Sequence, residues 1–544
     1  MSASTASLTD AILALAFVGD LSMGRSTDHS RRTACLAGWL AAEAGAGPEA
    51  QNHARAAAML RWSGCTANAS GFADLLGDDV ASREAMMAQR LPPMSAQMHS
   101  LIVPLALIHC EISGDIAVTL GMPSGVVLTL RRIFERHDGK GMPEGLDGDA
   151  VPSTVYFVNL ASDLEILARA HGREAALAYL RAQGGAKYPA ALAELCIAHA
   201  EAWLDTLDAG EPDTAGWRLA DQQDTADVAL SLLADVTELK LPWLAGYARR
   251  VASLASRAAA RLGLDAAIGA ELEAAALLHG IGRAALPNRL WDTPGRLSSD
   301  QWEQVRLVPY WTARAAQQIG GLRGAAGLAS HAYERLDGSG YFRGLSGTAL
   351  DVPQRLLAGA VACQALLDAR PWRAAHSIDA AAGLLQAEAA AGRFDPEVIT
   401  ALVETAGGPA PAPQAARHAA AVAARDRGAA PDQRRPQQQG SGARAGVEPE
   451  HGAHACREHL PQARLLDARG RHPQGADHRA AVKPKAPASE LTDAGAFART
   501  TSKKAGPPAA THTGCAAAGG PARFRRLPPG RAWPASAPTP PGSR

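Results

Sequence analysis

The chain has 544 residues, 47% of them hydrophobic and 20% charged, with 54 basic side chains balanced by 54 acidic ones. That length admits two or three folded domains, and the zero net charge removes bulk electrostatics as an argument for a nucleic-acid or membrane partner. The seven cysteines are scattered and form no C-x-x-C pair, which excludes a zinc knuckle or a disulfide framework and fits a reducing compartment.

From Leu8 to about Leu207 apolar residues recur at helix spacing. Asp28-His29-Ser30-Arg31-Arg32 reads as a helix start with Asp28 as the cap, Ala54 to Trp62 as a second helix, and Gly121 to Phe134 as a third. A Gly/Pro/Asp-rich stretch from Asp208 to Trp217 reads as a linker. Beyond it Val228 to Leu239, Leu244 to Leu262 and Ala266 to His279 keep a period near 3.6. Ser298 caps a helix through Gln317, and Pro353 to Leu367, Ile378 to Glu388 and Asp395 to Glu404 follow. Strand signals are nearly absent, so the expected fold class is all-α. No apolar run approaches the ~20 residues of a bilayer span, and no basic flank marks a signal peptide. The expectation is a cytoplasmic protein with no membrane contact.

The chain repeats itself. His29-Ser30-Arg31-Arg32 pairs with Tyr247-Ala248-Arg249-Arg250, and Leu60-Arg61-Trp62 pairs with Leu278-His279-Gly280, at one shared offset. Glu135-Arg136-His137-Asp138-Gly139-Lys140-Gly141-Met142-Pro143 is nearly the same sentence as Glu334-Arg335-Leu336-Asp337-Gly338-Ser339-Gly340-Tyr341-Phe342. The boundaries read as a first repeat over 1–207, a linker over 208–218, a second repeat over 219–406, and a tail over 407–544.

The second repeat carries Leu278-His279-Gly280-Ile281-Gly282-Arg283, Pro287-Asn288, Pro294-Gly295-Arg296 and Glu334-Arg335-Leu336-Asp337-Gly338-Ser339-Gly340-Tyr341 in order. On these motifs it resembles an HD-GYP domain, a branch of the HD phosphohydrolases that hydrolyses cyclic di-GMP. The resemblance implies two or three metal ions between helices and a bridging hydroxide that attacks phosphorus. It also implies imidazole and carboxylate ligands, including a carboxylate that bridges two cations. Here the first His position is Tyr247, the His-Asp pair is His279-Gly280, and the next His before a Pro is Val308-Pro309. The His-His pair is Ala332-Tyr333, with His331 one residue back, and the late Asp is Val361. The first repeat keeps His29, but has Arg61-Trp62, Ile133-Phe134 and Ser162, with Asp163 displaced by one.

His279 is thus a vestigial catalytic position. No metal site and no cofactor are expected; an active enzyme would need two divalent Fe or Mn ions. Arg335, Asp337, Gly338, Gly340, Tyr341 and Arg343 are the candidate ligand-binding residues, since a guanidinium grips phosphate bidentately. The plainer reading is that Glu334, Arg335 and Asp337 hold their own loop by ion pairs and caps. Cys65, with no His at a readable spacing, reads as a packed small residue rather than a nucleophile.

After about Gly407 Arg, Pro, Ala, Gly and Gln dominate, a composition that cannot bury enough apolar surface to fold. Read one nucleotide later, codons for Arg435 to Ser441 permit G-L-S-N-K-E, which resembles the DNA-binding helix-turn-helix of LuxR-type regulators. The tail therefore reads as a displaced frame of such a domain, and the polypeptide as written is not expected to bind DNA. The functional expectation is an inactive HD-GYP-like regulatory protein related to transcription regulators. Its partner would be a cyclic dinucleotide or another protein, and a homodimer is compatible. The alternative is an active metal-dependent cyclic di-GMP phosphohydrolase.

Overall fold

A computed structural model describes residues 4–92, 95–210, 217, 219, 227–292 and 295–409, all within one compact unit. Nearly all of the expected tail, and the displaced-frame reading with it, lies outside the described residues. The first repeat contains the longer helices Leu8–Ser22, His29–Glu43, Pro48–Leu60, Ala69–Leu76, Asp79–Met87, Ala96–Thr119, Ser124–Arg131, Ser153–His171, Arg173–Gln183 and Ala190–Asp208. The second contains Leu230–Glu238, Tyr247–Arg261, Ala266–Leu278, Ser299–Arg306, Val308–Gln318, Val352–Leu367, Ile378–Ala390 and Pro396–Thr405.

The repeat is exact in its central pair. His29–Glu43 and Tyr247–Arg261 begin and end 218 residues apart, and so do Pro48–Leu60 and Ala266–Leu278. Each first helix anchors its second through one buried carboxyl. Asp20 Oδ2 accepts from the Ser30 amide at 3.1 Å, and Glu238 Oε1 accepts from the Ala248 amide at 2.6 Å. A helix's first amides have no partner within the helix, so these carboxyls satisfy them.

Burial pushes the Asp20 carboxyl from 3.8 up to about 8. A raised folded-state value means the native protein holds this proton more tightly than the unfolded chain. The resulting stability is present below the unfolded value and is lost as pH rises toward 8. Asp20→Asn, neutral throughout, is expected to flatten that decline in the urea midpoint measured between about pH 4 and 8.

The two repeats share one hydrophobic core that runs from Leu8 and Leu15 through Leu160 and Leu278 to Leu402. Thr5–Ser7 pairs antiparallel with Asp227–Ala229, with Ala6 opposite Val228. Each strand leads into its repeat's first helix, so the ribbon lies on a local pseudo-twofold between the repeats. Lys240 of the second repeat pairs with Asp79 of the first, both fully buried.

Two expectations need correction. Asp28 sits at the start of its helix but makes no cap bond; its carboxylate instead accepts from both Arg169 Nη atoms, at 3.0 and 2.8 Å. The helix expected from Ser298 to Gln317 is two. The Ser298–Gln301 capping box starts the first, and the second opens at Val308 with Pro309 in its first turn. Ala96–Thr119 is one 24-residue helix, long and apolar enough to cross a membrane by length and composition. It carries Glu111 and Asp115 and packs against Ser124–Arg131, leaving Leu101, Ile108 and Val118 exposed.

Candidate functional site

In the second repeat the expected positions converge. Tyr247 opens one helix, His279 closes the next, and Tyr333 and Val361 come from the far half of the repeat. The Tyr247 hydroxyl donates to the Val361 carbonyl at 2.8 Å, so the first and last positions touch. The His279 ring centroid lies 5.6 Å from that of Tyr247 and 6.5 Å from that of Tyr333.

His279 Nδ1 donates to the Ala276 carbonyl at 2.5 Å, which leaves the lone pair on Nε2. Arg283, one helical turn on, fills the space that lone pair faces. Its Nη2 lies 3.1 Å from His279 Nε2 and 2.8 Å from the Tyr333 hydroxyl, and its guanidinium carbon lies 5.5 Å from the Tyr247 ring. Burial, and then the Arg283 charge, push the His279 imidazole down to about 3. A fixed organic cation therefore stands among Tyr247, His279 and Tyr333.

The first repeat has its own buried cation. Arg61, 2% exposed, reaches toward the Val158 carbonyl and lies 4.4 Å over the Trp62 ring. His29 sits on one side of Trp62, at 6.5 Å between centroids, and His109 on another, at 6.2 Å. Asp163 is held by Lys187 at 2.5 Å and by the Tyr188 hydroxyl.

His109 was not singled out from the sequence. The Gly64 amide donates to Ser113 Oγ at 3.0 Å, as the Gly282 amide does to Thr312 Oγ1 at 3.4 Å. A Cβ on Gly64 would meet the His109 carbonyl at 2.4 Å, and one on Gly282 the Val308 carbonyl at 1.9 Å. His109 is therefore the counterpart of Val308, and the first repeat retains two of the imidazole positions. The signal was obscured because Cys110 follows His109 where Pro309 follows Val308.

These residues do not fit a pair of divalent ions. The position of the bridging carboxylate is Gly280 in one repeat and Trp62 in the other. The His279 lone pair already faces a guanidinium, and tyrosines fill two former imidazole positions. Among the described residues no three His, Cys, Asp or Glu side chains converge on one point. His331 Nδ1 turns to the Gly327 carbonyl at 3.0 Å instead.

The candidate ligand loop is tied to its own carboxylate. Glu334 Oε1 accepts from the Arg343 amide at 2.9 Å and Oε2 from the Leu345 amide at 3.1 Å. Glu135 does the same for the amides of Glu144 and Leu146, at 2.6 and 2.9 Å. Arg335 is buried; it donates to the Glu334 carbonyl and stacks 4.3 Å from the Phe394 ring. Asp337 Oδ1 accepts from the Ser339 amide and hydroxyl. Gly338 has φ +80°, and a Cβ on Gly340 would stand 2.3 Å from the Arg335 nitrogen. Tyr341 is buried, stacked on Tyr333 at 5.1 Å. Arg343 is exposed over the Phe342 ring. Glu334→Ala strands amides that the loop cannot satisfy otherwise, and is expected to cost about 1–3 kcal/mol in urea unfolding.

Cys65 is buried, and that burial pushes its thiol up to about 11, which disfavours the nucleophilic thiolate at neutral pH. It nevertheless has a histidine partner: His109 Nδ1 lies 3.5 Å from its sulfur.

A family profile described as "HD domain" matches residues 231–398. Among characterised proteins, the chain is 28% identical over 303 residues to a 3'3'-cGAMP-specific phosphodiesterase 3 of Vibrio cholerae, covering 54% of this chain and 66% of that one. It is 32% identical to the 3'3'-cGAMP-specific phosphodiesterase 1 of the same organism, covering 32% and 40% of the two chains. It is 35% identical to the cyclic di-GMP phosphodiesterase response regulator RpfG of Xanthomonas campestris, covering 32% and 46%. The matches thus span between two fifths and two thirds of these relatives' lengths. A crystal structure of a cyclic GMP-AMP specific phosphodiesterase of V. cholerae superposes with a TM-score of 0.55 at 21% identity, covering 74% of this chain and 98% of that one. The shared fold therefore extends through both repeats.

Proposed function

The chain carries an HD domain of the HD-GYP type, and from that premise we propose that it is a phosphodiesterase relative that recognises its ligand without hydrolysing it. The observation that supports this reading is Arg283, whose guanidinium lies against both His279 Nε2 and the Tyr333 hydroxyl. A guanidinium supplies positive charge but no open coordination position, so it cannot generate or hold the attacking hydroxide. A module of this kind acts through ligand- or partner-dependent packing rather than turnover. The ligand class is a cyclic dinucleotide, held at the loop that carries Asp337, Gly338, Gly340 and Tyr341, with Arg343 as the exposed phosphate contact and Arg335 supporting the loop from beneath.

The names of the relatives favour a second reading, an active cyclic dinucleotide phosphodiesterase. One experiment separates the two: calorimetric titration with cyclic di-GMP and 3'3'-cGAMP, followed by chromatography of the nucleotide afterwards. The first reading expects binding that Arg343→Ala weakens and nucleotide recovered intact. Linear dinucleotide formed at a rate that His279→Ala abolishes would establish the second.

A further inference from the structure

The first repeat also brings a thioether and an imidazole against one buried thiol. Cys65 Sγ lies 3.3 Å from Met23 Sδ and 3.5 Å from His109 Nδ1, and the three residues are 2–3% exposed. They come from separate segments: Met23 ends the first helix, Cys65 lies on the short helical turn Ser63–Cys65, and His109 lies in the middle of Ala96–Thr119. The close approach is built into the backbone, because only a glycine at 64 lets that turn lie against the His109 carbonyl.

We propose that Cys65, Met23 and His109 form a binding site for one monovalent soft metal ion of the Cu(I) class. Thiolate and thioether sulfur select Cu(I) over the harder divalent ions, and imidazole suits copper as well. Sulfurs each about 2.3 Å from a shared ion in a trigonal arrangement stand about 4 Å apart. Met23, unbranched and flexible, needs to withdraw by well under 1 Å to admit one.

Charge favours the monovalent ion. Trp62, Ala88 and Ile166 surround Met23 and Cys65 with apolar surface, and Arg61, Arg83 and Lys240 are the positive groups acting on the thiol. A lone thiolate there is costly, and a divalent ion on one thiolate leaves a net positive charge beside Arg61 and Arg83, Lys240 being paired with Asp79. A monovalent ion on one thiolate is neutral. On loading, the Cys65 S–H proton leaves to solvent as the sulfur–metal bond forms, with no change of oxidation state. Met87 and Ala170, half-buried, pack against this cluster.

The test uses the full chain with Cys456→Ser and Cys515→Ser, anaerobic, titrated with Cu(I) in competition with bicinchoninate. One Cu(I) per chain is expected, with X-ray absorption showing a mixed sulfur and nitrogen shell. Cys65→Ser is expected to lower affinity by more than about 100-fold, beyond what a supporting residue costs. Met23→Leu, conservative in volume, lowers affinity less, and Cys196→Ser leaves it unchanged. Copper left entirely with the competitor, copper held equally by Cys65→Ser and Met23→Leu, or Zn(II) taken up in preference would each overturn the proposal.

Discussion

Lys240→Met lowers the unfolding free energy by about 3–5 kcal/mol, the cost of leaving one charge of a buried pair without its partner. Lys240 and Asp79 are 1% and 0% exposed at their side chains and bridge the two repeats. Asp79 also accepts from the Asn288 amide at 2.7 Å, and the Asn288 side chain donates to the Lys240 carbonyl at 2.8 Å. The stranded carboxylate is therefore enclosed on every side. Asp79→Asn combined with Lys240→Met removes both charges while keeping an acceptor for the Asn288 amide. That double variant is expected to recover most of the lost stability, because the damage comes from the unpaired charge rather than from the missing attraction. Urea midpoints of the two variants and the parent check this; a single variant as stable as the parent would show that water reaches the pair.

Arg283→Ala is the second large effect. It removes a buried side chain from between Tyr247, His279 and Tyr333, and large-to-small changes at such places cost about 2–5 kcal/mol. Arg283→Met keeps most of the volume and isolates the charge. The guanidinium is the second cause, after burial, that holds His279 near 3. Arg283→Met should therefore raise the value at which His279 titrates by NMR, while burial keeps it below the ordinary range. The variant gains a free imidazole lone pair but no carboxylate, so it should still take up no stoichiometric iron or manganese. An unmoved His279 titration would mean that the two groups do not interact in solution.

Much of this fold could be read from the sequence because the repeat kept its helix lengths. The same offset joins His29 to Tyr247 and Leu60 to Leu278, and the structure gives those helices identical spans. The loop after Glu334 was legible because its glycines and acidic residues are local to one another. What sequence reading missed is contact between distant segments. Cys65 and His109 are 44 residues apart, on a short turn and a long helix, and no periodicity links them. Asp79 and Lys240 are 161 residues apart and belong to different repeats. Arg283 was visible in its motif, but nothing in the sequence said that its side chain folds back one turn onto His279. Asp28 had the composition of a cap, yet Arg169 from the Ser153–His171 helix outcompetes its own helix's amides.

The Arg283 guanidinium stands against the one imidazole left in the second repeat's set of former ligand positions. Metal quantification on protein purified anaerobically with iron or manganese supplied, beside an assay of cyclic di-GMP and 3'3'-cGAMP hydrolysis, tests it most directly. No stoichiometric iron or manganese and intact nucleotide are expected. About two ions per chain, with turnover that His279→Ala abolishes, would contradict it.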